Sequence, residues 1–241
     1  MDKVKLHINY VSKLNEFVQA YPSFGFLTQS KNIHHEKYAW IWGERRCHFN
    51  NIMFIGKTGY GKSTTLNKIV GKEVFETSDV CSCTKDLYCA MYTINEEKNE
   101  YLTFTDLPGI GESNYADDHY YKWYREMLYH SQVVVYLLRA DQRDFAVDEI
   151  LFNNMFNNEA ERKKVILAIN CADKVEPISR KRMLSEEQVA NLLKKKEEAV
   201  KAFGIPQENI LFYSASEGIN MDLLLKKISE KLKEKIGEDD E

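Results

Sequence analysis

Residues 56–63 have the types and spacing of a loop that binds phosphate. They read Gly-Lys-Thr-Gly-Tyr-Gly-Lys-Ser, which fits the pattern G-x-x-x-x-G-K-[ST]. Because glycine has no Cβ, the backbone N–H groups of such a loop can close around phosphate oxygens. We expect Lys62 to reach the β- and γ-phosphates and the Ser63 hydroxyl to bind Mg²⁺. The candidate phosphate-binding residues are therefore Lys57, Thr58, Gly59, Tyr60, Gly61, Lys62, Ser63 and Thr64.

A second candidate is the sequence Asp-Leu-Pro-Gly at 106–109, directly after a predicted strand over 100–105. A carboxylate at the end of a strand beside a phosphate loop can hold Mg²⁺ through water. Gly109 can turn its N–H toward a γ-phosphate. The alternative is an ordinary turn, since a lone D-x-x-G is a weak signal, but its place after the phosphate loop favours Asp106 as a metal ligand.

A third candidate follows another apolar run, where residues 170–174 read Asn-Cys-Ala-Asp-Lys. The carboxylate of Asp173 can only accept hydrogen bonds. Guanine offers two adjacent donors, N1–H and the 2-amino group, whereas adenine presents N1 as an acceptor. Asp173, together with Asn170, therefore favours guanine over adenine as the bound base. The alternative is a capping or surface aspartate.

The fourth candidate is Ser-Ala-Ser at 214–216, again after a predicted strand. Small residues let backbone N–H groups approach a base closely. Taken alone, the sequence of Ser214, Ala215 and Ser216 indicates little, and it gains meaning only from its position.

The elements that must position these residues alternate along the chain. Apolar runs over 51–55, 133–138, 165–169 and 210–213 predict buried strands, and helical patterns separate them. Runs over 87–94 and 100–105 are joined by so short a turn that they must be antiparallel. The order predicts a three-layer α/β fold with a mostly parallel six-stranded sheet and one antiparallel edge strand. All four candidate sites then fall at carboxyl ends of strands, where such sheets bind ligands.

The N-terminal part predicts an extension to this domain. Apolar residues at three- and four-residue steps predict an amphipathic helix over 2–20, packed on the main domain or presented to a partner or membrane surface. Residues 21–47 predict a loop with one short second helix. We therefore divide the chain into a helical extension over 1–47, the main domain over 48–236 and an acidic tail over 237–241.

Composition excludes some classes of function. The net charge of −4 gives no reason to expect nucleic-acid binding, and apolar runs such as 133–138 are too short to span a bilayer. Without an apolar signal core near Met1, we expect a cytoplasmic protein. The five cysteines are expected to be free thiols, because no second pair matches Cys81 and Cys83 as metal ligands.

The order and spacing of the four motifs over 48–236 resemble the small GTPase domain, and most closely its Era/TrmE-like branch. The resemblance implies GTP and GDP as ligands, Mg²⁺ as cofactor, slow hydrolysis and a switch function. It also implies a threonine that closes over the metal, for which Thr84 is the candidate and Thr77 the alternative. The implied catalytic residues are Lys62, Thr84 and Gly109, and the implied metal ligands are Ser63, Thr84 and Asp106.

The sequence departs from this family at several positions. Cys171 replaces the lysine whose stem usually packs on guanine, and Ile110 stands where Ras-type proteins have a water-orienting glutamine. Gly59 replaces the asparagine of potassium-stimulated members. The missing catalytic groups could come from Glu112, from Arg125, from a partner or from a second protomer.

Partners and alternative functions stay open at this point. The effector is unknown, and a dimer of G domains is compatible with the sequence. The resemblance covers only the GTPase domain of Era and not its RNA-binding domain, so ribosomal RNA binding is not carried over as an expectation. One alternative function is a non-hydrolysing guanine-nucleotide-binding module. The other is an ATP-dependent P-loop enzyme, against which Asp173 argues.

Overall fold

The computed structural model describes residues 6–29, 39–42, 45–77, 86–110, 114–178 and 183–238. In these residues eight strands form one sheet in the order β1-β4-β5-β3-β6-β7-β8, and β2 pairs with β3 outside this path. The strands are β1 Leu6–Lys13, β2 Ala39–Trp42, β3 Arg45–Ile55, β4 Leu87–Asn95, β5 Glu100–Asp106, β6 Val133–Arg139, β7 Val165–Asn170 and β8 Ile210–Phe212. The α-helices are α1 Leu14–Ala20, α2 Lys62–Val70, α3 Asn114–Tyr129, α4 Ala146–Met155, α5 Glu159–Arg162, α6 Glu186–Phe203 and α7 Met221–Glu238.

Helices cover both faces of the sheet. One apolar core holds buried residues of α1, α2 and α7, and the other holds buried residues of α3, α4 and α6. The strands β6 and β7 are buried on both faces, which is why they read as continuous apolar runs. This is the predicted three-layer α/β fold.

The predicted helix over 2–20 is wrong for residues 6–13, which form strand β1 parallel to β4. Side chains at alternate positions are half-buried, among them Leu6, Ile8 and Tyr10, whereas Val11, which suggested helical spacing, is 56% exposed. The apolar spacing of residues 6–13 fits either a helix or a strand. The free edge of β4 favours the strand, and the local sequence does not show that this edge is available. β1 therefore covers β4, the strand predicted to form the antiparallel edge, and the part of the sheet that the structure describes has eight strands instead of six.

The rest of the N-terminal segment packs on the same core. Phe17 of α1 and Phe24 of the 3₁₀ helix Pro22–Thr28 both contact the ring of Phe104 in β5. The Ser229 hydroxyl of α7 donates to the Ser23 carbonyl at 2.5 Å. Packing on the main domain is thus confirmed for α1. The predicted boundary after residue 47 falls inside β3, and α7 extends into the predicted acidic tail.

No helix in the described part of the chain is long and apolar enough to cross a membrane.

Candidate functional site

The loop between β3 and α2 is shaped by its glycines and by the strands beside it. Gly56 has φ +151°, and a Cβ there would lie 2.7 Å from the Leu137 carbonyl oxygen. Gly61 has φ +87°, and a Cβ there would lie 2.4 Å from Nδ2 of Asn170. Larger residues are therefore excluded both by backbone conformation and by neighbours in β6 and β7.

Lys62 begins α2 and points back into the loop. Its side chain is buried, and its Nζ donates to the carbonyls of Gly56 at 3.0 Å and Lys57 at 3.2 Å. This geometry places a positive charge inside the loop, at the N-terminus of a helix whose dipole also favours anions. The loop can therefore bind a phosphate chain.

The two predicted metal ligands that the structure describes are in contact. The Ser63 hydroxyl donates to Oδ2 of Asp106 at 2.6 Å, and Asp106 is 1% exposed at the end of β5. Thr84 lies outside the described residues, and Thr77 is exposed. A hydroxyl and a carboxylate beside a phosphate loop are the oxygen ligands that Mg²⁺ prefers.

The segment after Asp106 lies directly on the phosphate loop. Ile110 N donates to the Gly56 carbonyl at 3.2 Å, and Thr58 N donates to the Ile110 carbonyl at 3.3 Å. Gly109 packs so closely that a Cβ would lie 2.0 Å from Oγ1 of Thr58. The Ile110 side chain is 4% exposed and packs in the core under α3. The Ile110 side chain, at the position of the Ras-type glutamine, is therefore packed inside the protein.

Asn170 joins three parts of the site. Its Nδ2 donates to the Tyr60 carbonyl at 2.9 Å, and its Oδ1 accepts from Ala215 N at 3.1 Å. The side chain is 3% exposed. One buried amide thus fixes the phosphate loop relative to the loop at 214–216.

Asp173 lies in a short 3₁₀ helix, Ala172–Lys174, and is 4% exposed. Its Oδ1 is buried and has no hydrogen-bond partner among the described residues. The loop is held from behind, because Gln188 Nε2 donates to the carbonyls of Asp173 at 3.3 Å and Val175 at 3.0 Å. Gln188 also completes the predicted capping box with Ser185 at the start of α6. A buried carboxylate oxygen without a donor fits a ligand that supplies one.

The loop at 214–216 is close by and tightly packed. Ser214 and Ala215 are buried, and the hydroxyls of Ser214 and Ser216 are 3.2 Å apart. The N–H of Ala215 donates to Asn170. Its visible role is to hold Asn170, and a contact between this N–H and a base stays a prediction.

Sequence reasoning missed Asp148 of α4, which contacts the phosphate loop. The Tyr60 hydroxyl donates to Asp148 Oδ2 at 3.0 Å, and Lys57 Nζ is 3.8 Å from the same oxygen. Burial raises the pKa of Asp148, and the nearby Lys57 and the Tyr60 hydrogen bond oppose that rise. In the sequence Asp148 looks like an ordinary acidic residue in the first turn of a helix. Nothing in the residues around it indicates contact with the phosphate loop.

Arg139 was also missed. It ends β6, forms a fork-shaped ion pair with Asp141, and donates from Nη1 to the Gly59 carbonyl at 3.2 Å. By contrast, Arg125 bonds to both carboxylate oxygens of Glu161 and to the Met155 carbonyl. Arg125 of α3 is therefore held by α4 and α5, and its role as a catalytic group stays a prediction. Glu112, the other candidate, lies outside the described residues.

The predicted state of the cysteines can be checked at three of the five positions. Cys47, Cys89 and Cys171 are free thiols, whereas Cys81 and Cys83 lie outside the described residues. No group of three or more His, Cys, Asp or Glu side chains within the described ranges could hold a metal ion. The predicted magnesium ligands are the hydroxyls of Ser63 and Thr84 and the carboxylate of Asp106.

With this geometry described, comparison with known proteins decides the family. Residues 51–171, half of the chain, match the family of 50S ribosome-binding GTPases. The chain belongs to this P-loop GTPase family. Within it the matches to Era proteins support a small bacterial GTPase of the Era-like type.

Two curated relatives illustrate the similarity. The uncharacterized protein YfjP of Escherichia coli K12 is 39% identical over 144 residues, which cover 60% of this chain and 49% of YfjP. The GTPase Era of Halothermothrix orenii is 28% identical over 178 residues, covering 73% of this chain and 53% of Era. The chain spans about half the length of these curated relatives.

Solved structures share the fold. An Era variant from Aquifex aeolicus bound to GDP·AlF₄⁻ is 24% identical with a TM-score of 0.59, covering 76% of this chain and 56% of that one. Toc33 from Arabidopsis thaliana in complex with Mg²⁺ and GMPPNP is 17% identical with a TM-score of 0.63, covering 91% of this chain and 92% of that one. The predicted P-loop GTPase fold is thereby confirmed.

Proposed function

We propose that this GTPase-family chain binds GTP and GDP with Mg²⁺, hydrolyses GTP slowly and acts as a molecular switch. The observation that carries the proposal is Oδ1 of buried Asp173, which has no hydrogen-bond partner within the described ranges and lies in a loop that Asn170 ties to the phosphate loop. One purine nucleotide placed with its phosphates at Lys62 would bring its base toward Asp173. The two motifs are then parts of a single site.

The chemistry of Asp173 selects the base. A guanine would supply N1–H and its 2-amino group to the carboxylate, which satisfies the buried oxygen. An adenine would place the N1 lone pair against the same carboxylate and leave both groups unsatisfied, an arrangement that costs several kcal/mol. This argues against the ATP-dependent alternative.

The residues present also fit a magnesium ion. Ser63 and Asp106 would hold it, with Thr84 as the proposed third ligand, and the ion would neutralise charge on the β- and γ-phosphates. Lys62 adds a fixed positive charge from within the loop. Gly109, which already lies against Thr58, would contribute its backbone N–H.

Slow hydrolysis follows from Ile110. Phosphoryl transfer depends mainly on positioning and charge stabilisation, and a buried apolar side chain positions no water. We expect a rate of about 10⁻⁴–10⁻² s⁻¹ for the chain alone, as for an unstimulated GTPase. A partner or a second protomer would supply the missing groups, so the rate should be measured as a function of protein concentration.

The switch would act through the contact between Ile110 and the phosphate loop. Thr58 N donates to the Ile110 carbonyl, so a γ-phosphate that needs this N–H competes directly with the segment 107–110. GTP and GDP would then favour different arrangements of this segment. Hydrogen exchange of residues 107–110 should differ between the GDP and GTPγS complexes.

The decisive experiment compares nucleotides on the purified chain. Titration should show GTP and GDP binding with ATP unable to compete. Asp173→Asn should weaken GTP binding by about 2–3 kcal/mol. The same change should strengthen binding of xanthosine triphosphate, because the 2-carbonyl of xanthine accepts a hydrogen bond from the asparagine amide. The matched control is Asp222→Asn, because Asp222 is exposed in the first turn of α7.

Three outcomes separate the candidate functions. Unchanged GTP affinity in Asp173→Asn would place base recognition elsewhere. ATP competing as well as GTP would indicate the ATP-dependent enzyme. Tight GTP binding without phosphate release under single-turnover conditions would indicate the non-hydrolysing module, which the burial of Ile110 favours as the second candidate.

A further inference from the structure

Near Asp173, where the base of a nucleotide is proposed to bind, the family's motif has a lysine that this chain lacks. The residue between Asn170 and Ala172 is Cys171, which is half-buried and has φ +60°. Burial raises the pKa of its thiol, so Cys171 carries no charge to offer a nucleotide at neutral pH. Lys174 of the same segment also acts on this thiol, but it is exposed, so a cation held against the loop must come from another element.

Arg139 is the residue placed to provide this cation. It ends β6 directly beside Asn170, which ends the parallel strand β7, and Ala140 N donates to the Asn170 carbonyl at 2.8 Å. The positive charges of Arg139 and Lys174 both oppose the rise in the Cys171 pKa, and of these two residues Arg139 is the one on the neighbouring strand. Arg139 thus approaches position 171 from the neighbouring strand.

The guanidinium of Arg139 is held in a defined plane. Its Nε and Nη2 donate to the two carboxylate oxygens of Asp141 at 2.9 and 2.6 Å, while Nη1 donates to the Gly59 carbonyl at 3.2 Å. Its side chain is 29% exposed, so part of the group faces solvent. A fork-shaped ion pair fixes the plane of the guanidinium and leaves its faces open for stacking.

We propose that Arg139 supplies the cation that the Asn-Cys-Ala-Asp motif lacks, holding the phosphate loop at Gly59 and covering one face of the bound guanine. The inference rests on the proposed guanine-nucleotide function. Arginine suits this role because its planar, weakly hydrated guanidinium stacks on aromatic rings. A positioning group on strand β6 would then compensate for the loss of lysine at 171.

The test is GDP binding by the full chain, measured by calorimetry, for Arg139→Ala and Arg139→Gln. Both variants should bind GDP with about tenfold lower affinity, which is the scale of a cation–π contact. Glutamine keeps a donor for Gly59 but has no charge, so it remains informative if alanine fails to fold. The matched control is Arg143→Ala, an exposed arginine in the loop that follows β6, which should bind GDP within twofold of wild type.

The decisive arm is rescue. Adding Cys171→Lys to Arg139→Ala should recover most of the lost GDP affinity, because it returns a cation to the same side of the base. If the added lysine does not restore affinity, Arg139 only holds the phosphate loop, and the proposed contact with guanine is rejected. Arg139 variants that bind GDP with wild-type affinity would overturn the whole inference. Wild-type protein that does not bind GDP would instead reject the proposed function.

Discussion

The Tyr60 hydroxyl lies 3.0 Å from Oδ2 of Asp148, so the phosphate loop is hydrogen-bonded to helix α4, in an outer layer of the fold. Gln142 donates to the same hydroxyl, and the Tyr136 hydroxyl donates to the Asp148 carbonyl at 3.3 Å. The loop conformation is therefore supported by a buried polar network as well as by its glycines.

Removing the Tyr60 hydroxyl should destabilise the protein. Tyr60→Phe leaves the carboxylate of Asp148 buried with one hydrogen bond fewer, which costs about 1–3 kcal/mol. The free energy of unfolding from urea titration measures the loss. Tyr129→Phe is the control, because Tyr129 is 57% exposed and its hydroxyl should contribute little. Equal stabilities of the two variants would contradict the network.

The raised pKa of Asp148 makes a prediction about pH. Since the folded protein binds this proton more tightly than the unfolded chain, the contribution of Asp148 to stability is greatest below the ordinary aspartate pKa. That contribution is lost as pH rises through the raised folded value. Asp148→Asn, which keeps an acceptor for Tyr60, should therefore gain stability relative to wild type as pH rises through this window. Unfolding titrations across that range measure the difference, and parallel pH profiles would contradict the assignment.

Much of the site could be predicted because its signals are local. The glycines of the phosphate loop, Asp106, Asn170 and Asp173 lie within short motifs that follow apolar runs, and each motif carries its own chemistry. Burial of β6 and β7 on both faces also leaves a plain sequence signal. The fold class follows from the order of those elements.

What could not be predicted depends on contacts between distant parts of the chain. Tyr60 and Asp148 are 88 residues apart, and Arg139 meets Gly59 only because β6 lies beside β3. Strand β1 shows the same limit, since the apolar spacing of 6–13 fits a helix or a strand until β4 offers an edge. Packing between elements, which the sequence pattern does not contain, decides all three.

The close approach of Gly109 to Thr58 predicts the effect of one added methyl group. In Gly109→Ala the Cβ would lie 2.7 Å from both the backbone N and Cα of Thr58, so rotation of the threonine side chain cannot relieve the clash. We expect a loss of about 1–3 kcal/mol in the free energy of unfolding and a weakened contact between 107–110 and the phosphate loop. Gly25→Ala is the control, because its nearest neighbour would be Val18 Cγ1 at 3.9 Å. A stable Gly109→Ala protein with unchanged hydrogen exchange at 107–110 would contradict the packing.

Lys62→Ala should abolish most nucleotide binding, because Lys62 provides the buried positive charge inside the loop. The expected loss of GDP affinity exceeds a hundredfold, about 3 kcal/mol or more. Lys68→Ala, an exposed lysine later on the same helix, should bind normally. Calorimetry with folded variants checks both, and retained affinity in Lys62→Ala would reject the phosphate-loop assignment.

The last prediction concerns the residues that act on the γ-phosphate. Ile110 is buried, so Ile110→Ala would open a cavity in the core. The conservative change Ile110→Val tests the role of the side chain while lowering the free energy of unfolding by only about 0.5–1.5 kcal/mol. Because the side chain positions no water, Ile110→Val should change the single-turnover rate of GTP hydrolysis by less than about threefold, a change as small as that of a substitution far from the site.

Thr84→Ala should instead reduce the Mg²⁺-dependent rate of GTP hydrolysis at least about tenfold if this threonine binds the metal. Thr77→Ala is the matched control, since Thr77 is the exposed alternative. A Thr84→Ala protein at full rate, with Thr77→Ala impaired, would move the metal-binding role from Thr84 to Thr77.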